Sequence, residues 1–318
     1  MKRLGVLGTM VWDTIYGRGA ELEPVEKWGG ISYALAALEA ALPSQWSIVP
    51  LVKVGSDLAP RANEFLSALT RSADACRFFE APQPTNRVTL HYDNLERCAE
   101  QMSGGVAAWT WSQLGPLVRN LDAIYINFIS GFEMRLDTAR ELRSTFSGPI
   151  YADLHSLFLG VDSSGVRVPQ ALSDVTGWFS CFDIVQLNED EMALVGSNSV
   201  DVAALALESG VGLIIVTLGE EGAEYCCAGD FEIQRRPTET DRPSAPIRSG
   251  RVPATPVEKP LDPTGCGDVF GAATVSYLLR GIPVEEALKE ANALAAANLS
   301  FRGATELHHH LRKGIIRQ

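Results

Sequence analysis

The chain has 318 residues, a formal net charge of −12, 46% apolar residues and 21% charged residues. This composition is typical of a folded globular protein and excludes a largely disordered chain. Because nucleic acids are held by clustered Lys and Arg, the acidic balance argues against a nucleic-acid partner. The acidic balance is compatible with one bound nucleotide, because backbone amides and Mg²⁺ can hold its phosphates.

Cysteine usage and the N-terminus indicate a cytoplasmic protein. The six cysteines form no Cys-x-x-Cys pair, which favours reduced thiols over a metal site. The short apolar run that follows Lys2 and Arg3 ends at Trp12 and Asp13 and is too short to span a bilayer. We therefore interpret it as a first buried strand and expect no membrane partner.

The first strand is predicted over residues 3–8, and Asp13 follows it. Ligands of open α/β sheets collect at the carboxyl ends of strands, so Asp13 is a candidate contact for a polar substrate. A simple turn aspartate is the alternative. Gly29 and Gly30 precede a helix predicted over 31–42, and two glycines there permit close approach of a ligand to the backbone.

The middle of the chain alternates strands and helices. A strand is predicted over 48–54 and a helix over 62–69, and residues 85–102 alternate as a half-exposed strand does. Further strands are predicted over 123–127, 149–153, 183–187 and 211–216. This alternation predicts a predominantly parallel, doubly wound α/β sheet with helices on both faces, in a single domain over residues 1–318.

Two loops that follow these strands have both a structural and a functional interpretation. Asn188 and Glu191 have the spacing of a capping box, which requires no function. Residues 217–222 contain Gly219 and Gly222, which a tight turn between strands would also use.

The most informative stretch is Asp262-Pro263-Thr264-Gly265-Cys266-Gly267-Asp268, which runs into an apolar helix ending near Gly281. At the start of a helix, backbone amides and the helix dipole favour an anion, and here Gly265, Cys266 and Gly267 would supply the amides. Asp268 could simply cap the helix. The alternative is that it abstracts a proton beside a bound phosphate.

This Asp-x-Thr-Gly-x-Gly-Asp pattern resembles the C-terminal signature of the ribokinase-like (PfkB) family of carbohydrate kinases. The resemblance implies a ribokinase-like fold with a small β lid built from about residues 12–28 and 85–105. It implies that Asp268 is the catalytic base and that the amides of Gly265, Cys266 and Gly267 form an anion hole. ATP and Mg²⁺ would be the cofactors, and the lid would pair in a homodimer.

The resemblance also implies roles for residues elsewhere in the chain. Asp13, Gly29, Gly30 and Asp153 would bind the sugar-like substrate. Asn188, Thr217, Gly219, Gly222 and Asn292 would contact the nucleotide, and Glu191 would hold Mg²⁺ through water. A monovalent cation, K⁺, would lie among Asp262, Thr264, Asn298 and Gly303.

Two departures from the family pattern concern the substrate. The family has Asn four residues after Gly30, where this chain has Ala34, and it commonly has Asp-Pro-Asn-x-Arg where this chain has Asp153-Leu154-His155. The leading hypothesis is an ATP-dependent kinase that phosphorylates a hydroxyl of a small carbohydrate or polyol. A nucleoside kinase of the same family and a catalytically weak nucleotide-binding regulatory protein are the alternatives.

Overall fold

A sheet of eight strands forms the centre of the computed structural model, which describes residues 1–16, 23–72, 78–93, 96–229, 231–233 and 246–316. The described part of the chain forms sixteen strands, of which eight belong to this sheet. The first eight in chain order are β1 (Lys2–Leu7), β2 (Met10–Tyr16), β3 (Val25–Gly30), β4 (Trp46–Leu51), β5 (Lys53–Gly55), β6 (Phe79–Ala81), β7 (Arg87–Asp93) and β8 (Glu96–Ser103). The others are β9 (Ala123–Asn127), β10 (Ile150–Asp153), β11 (Leu159–Val161), β12 (Arg167–Pro169), β13 (Ile184–Asn188), β14 (Leu213–Thr217), β15 (Ala223–Cys227) and β16 (Arg248–Val252).

The large sheet has the strand order β16-β15-β14-β13-β10-β9-β1-β4. The six strands from β14 to β4 are parallel to their neighbours, and β15 and β16 add an antiparallel edge. The predicted fold class, a predominantly parallel α/β sheet, is therefore confirmed.

Helices cover both faces of this sheet. They are α1 (Ile31–Ala41), α2 (Ala59–Ser67), α3 (Trp111–Val118), α4 (Leu136–Thr145), α5 (Val175–Phe179), α6 (Glu189–Val195), α7 (Ser199–Glu208), α8 (Cys266–Leu279), α9 (Val284–Asn298) and α10 (Leu307–Ile316). Tyr125 of β9 packs in the cluster that contains α1, α8 and α9, whereas its neighbours Ile124 and Ile126 pack in the cluster that contains α4 and α7. Successive residues of a strand point to opposite faces, so the strand is buried on both. None of the described helices is long and apolar enough to cross a membrane.

A second sheet of four strands, in the order β3-β2-β7-β8, stands apart from the large one, and we call it the lid sheet. Val11, Ile15, Val88 and Leu90 form a small hydrophobic cluster on it. Asp13, which was predicted to follow the first strand, belongs to β2 of this sheet. The chain re-enters extended structure at Met10 because β2 pairs with both β3 and β7.

The strand predicted over 48–54 is divided in two. β4 ends at Leu51, and β5 leaves the large sheet to pair with β6. Hydrophobic pattern alone could not show this division, since β4 is buried throughout and β5 is buried apart from the half-buried Lys53. The helix predicted over 62–69 begins earlier, at Ala59, with proline in its first turn.

Glu39 connects α1 to two distant parts of the chain. Its side chain is fully buried. One carboxylate oxygen accepts a hydrogen bond from the Thr70 hydroxyl at 2.7 Å, and the other accepts one from the Arg71 backbone amide at 2.9 Å. Arg312 of α10 forms an ion pair with the same carboxylate. Glu39 thus neutralises a cation while satisfying buried donors.

We expect Glu39→Gln to lower the free energy of unfolding by about 1–3 kcal/mol, because it removes the charge and leaves one buried donor without an acceptor. Urea denaturation measures the change. The matched control, Glu64→Gln on the exposed side of α2, should change stability by no more than about 0.5 kcal/mol. Equal stabilities of the two variants would contradict this role for Glu39.

Candidate active site

Four adjacent parallel strands end on polar residues. Asn127, Asp153, Asn188 and Thr217 are the last residues of β9, β10, β13 and β14. Asp153 lies in register with Asn127, and Asn188 lies in register with Thr217. The carboxyl ends of parallel strands lie along one edge of a sheet. These four residues therefore form a continuous polar row at that edge, which we call the strand border.

The first turn of α8 lies against this border. Gly265 is the N-cap residue with φ +78°, and a Cβ atom there would overlap the ring of Tyr33, so only glycine fits. The first amides of a helix have no acceptor within it, and they carry the positive end of its dipole. Gly267 is exposed, whereas the Cys266 amide donates to the Pro263 carbonyl at 3.3 Å. One of the three predicted anion-hole amides thus has an internal acceptor.

Asp268 in this turn is held by a residue of the strand border. Its Oδ1 accepts a hydrogen bond from Asn127 Nδ2 at 2.7 Å, and the carboxylate lines an open cleft. A charge-assisted hydrogen bond of this length fixes the direction of the carboxylate. Asp268 therefore faces a ligand space and is not merely a helix cap.

The cleft, of about 470 Å³, lies between the lid sheet, the strand border and the first turn of α8. Its described lining contains seven carboxylate side chains and no Lys or Arg. These are Asp13, Glu100, Asp153, Glu189, Asp190, Glu191 and Asp268. On the lid side, the aliphatic side chains of Val11, Val88 and Leu90 line the cleft beside Asp13 and Glu100, and the described lining there contains no aromatic ring. An anionic ligand would need its own cations to enter such a site.

Asp13 is almost fully buried at the lid side of the cleft. Burial raises the pKa of this carboxyl well above its usual range, against the opposing effect of the Lys27 ammonium. Gly29 lies directly under the carboxylate, where any Cβ atom would overlap it, and it does not line the cleft. Gly30 does line the cleft, at φ +57°. Gly29 thus makes room for Asp13, whereas a Cβ atom at Gly30 would overlap the Ile129 side chain and the Thr9 carbonyl.

Asp153 is buried at the centre of the border. Its two oxygens accept hydrogen bonds from Gln186 Nε2 at 2.8 Å and from the His155 backbone amide at 3.2 Å. Burial, and secondly the negative charge of Glu191, raise the pKa of Asp153 to about 7. Asp153 therefore changes protonation state in the neutral pH range.

The predicted capping box of Asn188 and Glu191 is present. The backbone amide of Glu191 donates to Asn188 Oδ1 at 2.9 Å, and the backbone amide of Asn188 donates to Glu191 Oε2 at 2.8 Å. The other carboxylate oxygen of Glu191 lies 2.5 Å from His155 Nδ1. Both Asn188 and Glu191 line the cleft as well, so the capping interpretation and the ligand interpretation are compatible.

The donor set suits Mg²⁺ bound together with phosphates. Among the described residues no group of three or more His, Cys, Asp and Glu side chains has the arrangement of a metal centre. Mg²⁺ is normally held by one or two carboxylates plus substrate phosphates and water. Glu191 and its neighbour Asp190 at the cleft wall fit that pattern.

The residues predicted to contact the nucleotide are divided by the fold. Thr217 and Gly219 line the cleft, whereas Gly222 and Asn292 do not. Asn292 Nδ2 donates to the Pro253 carbonyl at 3.0 Å and so fastens the chain beyond β16 to α9. Gly222 has φ +100° and packs against the Val252 carbonyl, which is the structural role of a glycine in a turn between strands.

The four residues predicted to hold a monovalent cation lie around a lysine. Lys27 Nζ is 3.0 Å from Asp262 Oδ2, and Asp262 Oδ1 accepts from the Thr264 amide at 2.8 Å. A further unit positive charge about 4 Å from this ammonium would meet about 4 kcal/mol of repulsion at an effective dielectric constant of about 20. Asp262 and its neighbours therefore do not fit an added K⁺ beside Lys27.

Two residues of the site were not assigned from the sequence. Asn127 orients Asp268, and Gln186 Nε2 donates to both Asp153 and the Gly267 carbonyl, at 2.8 Å and 3.3 Å. The sequence places both residues at or near the carboxyl ends of predicted strands. It could not show which residues they hydrogen-bond, since those partners belong to other elements.

Comparisons with known proteins concern the family and the fold. Residues 161–310 match the family model described as pfkB family carbohydrate kinase, and the resemblance found in the sequence is therefore confirmed. No curated protein matches the chain in sequence.

Solved structures match over nearly the whole chain. Ribokinase from Thermotoga maritima is 18% identical, with a TM-score of 0.70 over 99% of this chain and 100% of that one. A nucleoside kinase from Burkholderia thailandensis, in complex with inosine, is 18% identical, with a TM-score of 0.69 over 97% and 96%. A pyrophosphate-dependent kinase of the ribokinase family, complexed with a pyrophosphate analogue and myo-inositol, is 15% identical, with a TM-score of 0.70 over 99% and 100%. At these identities the match establishes the fold.

The raised pKa of Asp153 predicts how stability depends on pH without ligands. The unfolded chain loses this proton near pH 3.8, whereas the folded chain keeps it to about pH 7. Between these values the folded state binds more protons, so stability falls as pH rises. We expect Asp153→Asn to remove this fall, which amounts to at most about 1.4 kcal/mol per pH unit. Denaturation of both proteins at several pH values measures the difference, and parallel curves would contradict the assignment.

Proposed function

We propose that this chain, which carries a PfkB-family kinase domain, is an ATP-dependent phosphotransferase that phosphorylates a hydroxyl of an uncharged sugar or polyol. The observation that carries the proposal is the position of Asp268. Asp268 lies in the first turn of α8, and its carboxylate accepts a hydrogen bond from Asn127 of β9 and faces the acidic cleft. A base beside a helix N-terminus suits phosphoryl transfer to a hydroxyl, because it places a proton acceptor next to donors for the phosphoryl oxygens.

In the proposed reaction, Asp268 accepts the proton of the acceptor hydroxyl while its oxygen attacks the γ-phosphorus of ATP. The bond from this phosphorus to the β–γ bridging oxygen breaks, and ADP leaves. Amides at the start of α8 stabilise the charge on the equatorial oxygens of the transferring group, with Gly267 the most exposed of them. Mg²⁺, when bound, neutralises donor-phosphate charge next to Glu191. Thr217 and Gly219 lie where the donor would pass.

The lining of the cleft supports an uncharged acceptor. A sugar acid calls for a cationic side chain, and the described lining contains no Lys or Arg. A nucleoside calls for stacking on a large aromatic side chain, and the same lining contains no Phe, Tyr or Trp, its one aromatic ring being the imidazole of His155 beyond the end of β10. Asp13 and Asp153 are instead buried carboxyl groups able to bond hydroxyls. The neighbour solved with myo-inositol binds an acceptor of this class.

We further propose that the lid sheet closes over the acceptor and belongs to the same single domain as the large sheet. Val11, Val88 and Leu90 would then cover the carbon face of the sugar and exclude water. Pairing of two such lids in a homodimer stays a prediction.

We expect Asp268→Asn to lower kcat by about 10²- to 10⁴-fold, because the variant keeps the shape of the side chain but cannot accept the proton. ADP release measures the rate, and calorimetric titration with Mg-ATP should give binding close to that of the wild type. The matched control is Asp137→Asn in the exposed first turn of α4, with an unchanged rate. Turnover by Asp268→Asn near the wild-type rate would refute the role of base.

The acceptor class is tested with panels of neutral sugars and polyols, sugar acids and nucleosides, each with Mg-ATP and, in parallel, with Mg-pyrophosphate. We expect the highest kcat/KM for a neutral polyhydroxy compound with ATP. A preferred nucleoside would favour the nucleoside-kinase alternative. Nucleotide binding without phosphorylation of any compound would favour the regulatory alternative.

A further inference from the structure

Lys27 joins the lid sheet to the loop that begins the anion hole. It lies on β3 and is in register with Asp13 of β2. Its ammonium forms an ion pair with Asp262 in which both side chains are largely removed from solvent, 13% and 1% exposed. Asp262 opens the loop that continues to Gly265 and the first turn of α8. One lysine thus bridges two elements that meet at the cleft.

The predicted cation site is built around this ammonium. Besides the contact with Asp262, the stem of Lys27 passes against Gly303, where a Cβ atom would lie 2.9 Å from its Cδ. Gly303 has φ +81°, which favours glycine and keeps this approach open. Asn298 Nδ2 donates to the Thr264 carbonyl at 2.9 Å, and the backbone amide of the same Thr264 donates to Asp262. Asp262 and Gly303 therefore contact Lys27 directly, Thr264 connects to it through Asp262, and Asn298 connects to it through Thr264 and Asp262.

The ammonium of Lys27 does what a free monovalent cation would do here. A buried carboxylate needs a positive partner, and Asp262 has one that is covalently part of the chain. The charge also holds the Asp262 carboxylate where its second oxygen accepts the Thr264 amide. Restraining Thr264 restrains the loop that leads to the amides of Gly265 and Gly267. Loss of this charge should therefore affect the anion hole without touching substrate.

We propose that Lys27 is a tethered monovalent cation, whose ammonium occupies the place of K⁺ and makes the protein independent of free monovalent cations. The part of this inference that concerns turnover rests on the proposed kinase function, whereas the part that concerns cation binding does not. Lys27 is a positioning residue, because it acts through Asp262 and not on the reacting atoms.

The first experiment needs no substrate. Thermal unfolding is compared in potassium chloride and in tetramethylammonium chloride, a cation too large for the site, at equal ionic strength. We expect the same Tm for the wild type in both salts. Lys27→Met, which keeps the stem and removes the charge, should have a Tm at least about 2 °C higher in potassium chloride, because K⁺ then binds the folded state at Asp262.

The second experiment measures phosphorylation in the same two salts. Wild-type kcat should be equal in both. Lys27→Met should lose roughly 10- to 100-fold in tetramethylammonium, as expected for a displaced anion hole, and should recover in K⁺ with saturation. Lys27→Arg, which keeps the charge, should retain independence from K⁺. The matched control Lys289→Met, on the exposed side of α9, should behave as the wild type.

A wild-type Tm or kcat that rises on adding K⁺ overturns the inference, and so does a Lys27→Met variant that ignores K⁺ in both experiments. If Lys27→Met folds in neither salt, Lys27→Gln is measured in its place. The wild-type measurements test independence from K⁺ without any variant. Failure of the proposed function is distinguishable. In that case no acceptor is phosphorylated by any variant, while the Tm of Lys27→Met still responds to K⁺ and that of the wild type does not.

Discussion

The site depends on the contact between the amide of Asn127 and the carboxylate of Asp268. The two residues are far apart in the chain, and each stands at the end of a rigid element, a buried strand and a buried helix. Parallel strands bring their carboxyl ends to one edge, and α8 packs across the same face of the sheet that contains Tyr125 and Tyr151. A base that must meet a hydroxyl within hydrogen-bond distance needs such rigid support on both sides.

Carboxyl groups dominate the electrostatics of the cleft, and Asp13 and Asp153 among them are buried. Asp13 and Asp153 both have raised pKa values, chiefly because burial removes water from their charged forms. Stability alone does not favour such groups, since a buried carboxyl with a raised pKa weakens the folded state at neutral pH. Residues of this kind collect at functional sites, where a ligand supplies the missing partners. Hydroxyls and Mg²⁺ are the partners that an acidic, aliphatic cleft accommodates best.

The charges of the lid sheet and of the α8 loop are linked. Lys27 is shared between Asp262, with which it forms an ion pair, and Asp13, whose pKa it lowers against the effect of burial. The lid sheet and the α8 loop, on two sides of the cleft, therefore share one cation. A free K⁺ would exchange with solvent, whereas a lysine on β3 is present in every molecule and moves with the lid sheet. Its position ties the geometry of the anion hole to the strand that carries Gly29 and Gly30.

The sequence alone determined the alternation of strands and helices, the glycine-rich entry to α8, the capping box of Asn188 and Glu191, and the identity of Asp268 as a candidate base. These features are local, because periodicity, capping and backbone freedom depend on residues a few positions apart. Only the tertiary structure decided that Asn127 and Gln186 belong to the site. It also decided that Asn292 and Gly222 do not line the cleft, and that Lys27 lies beside Asp262, where K⁺ was expected. Each of these depends on contacts between distant segments, and packing of whole elements, not local pattern, determines which side chains meet.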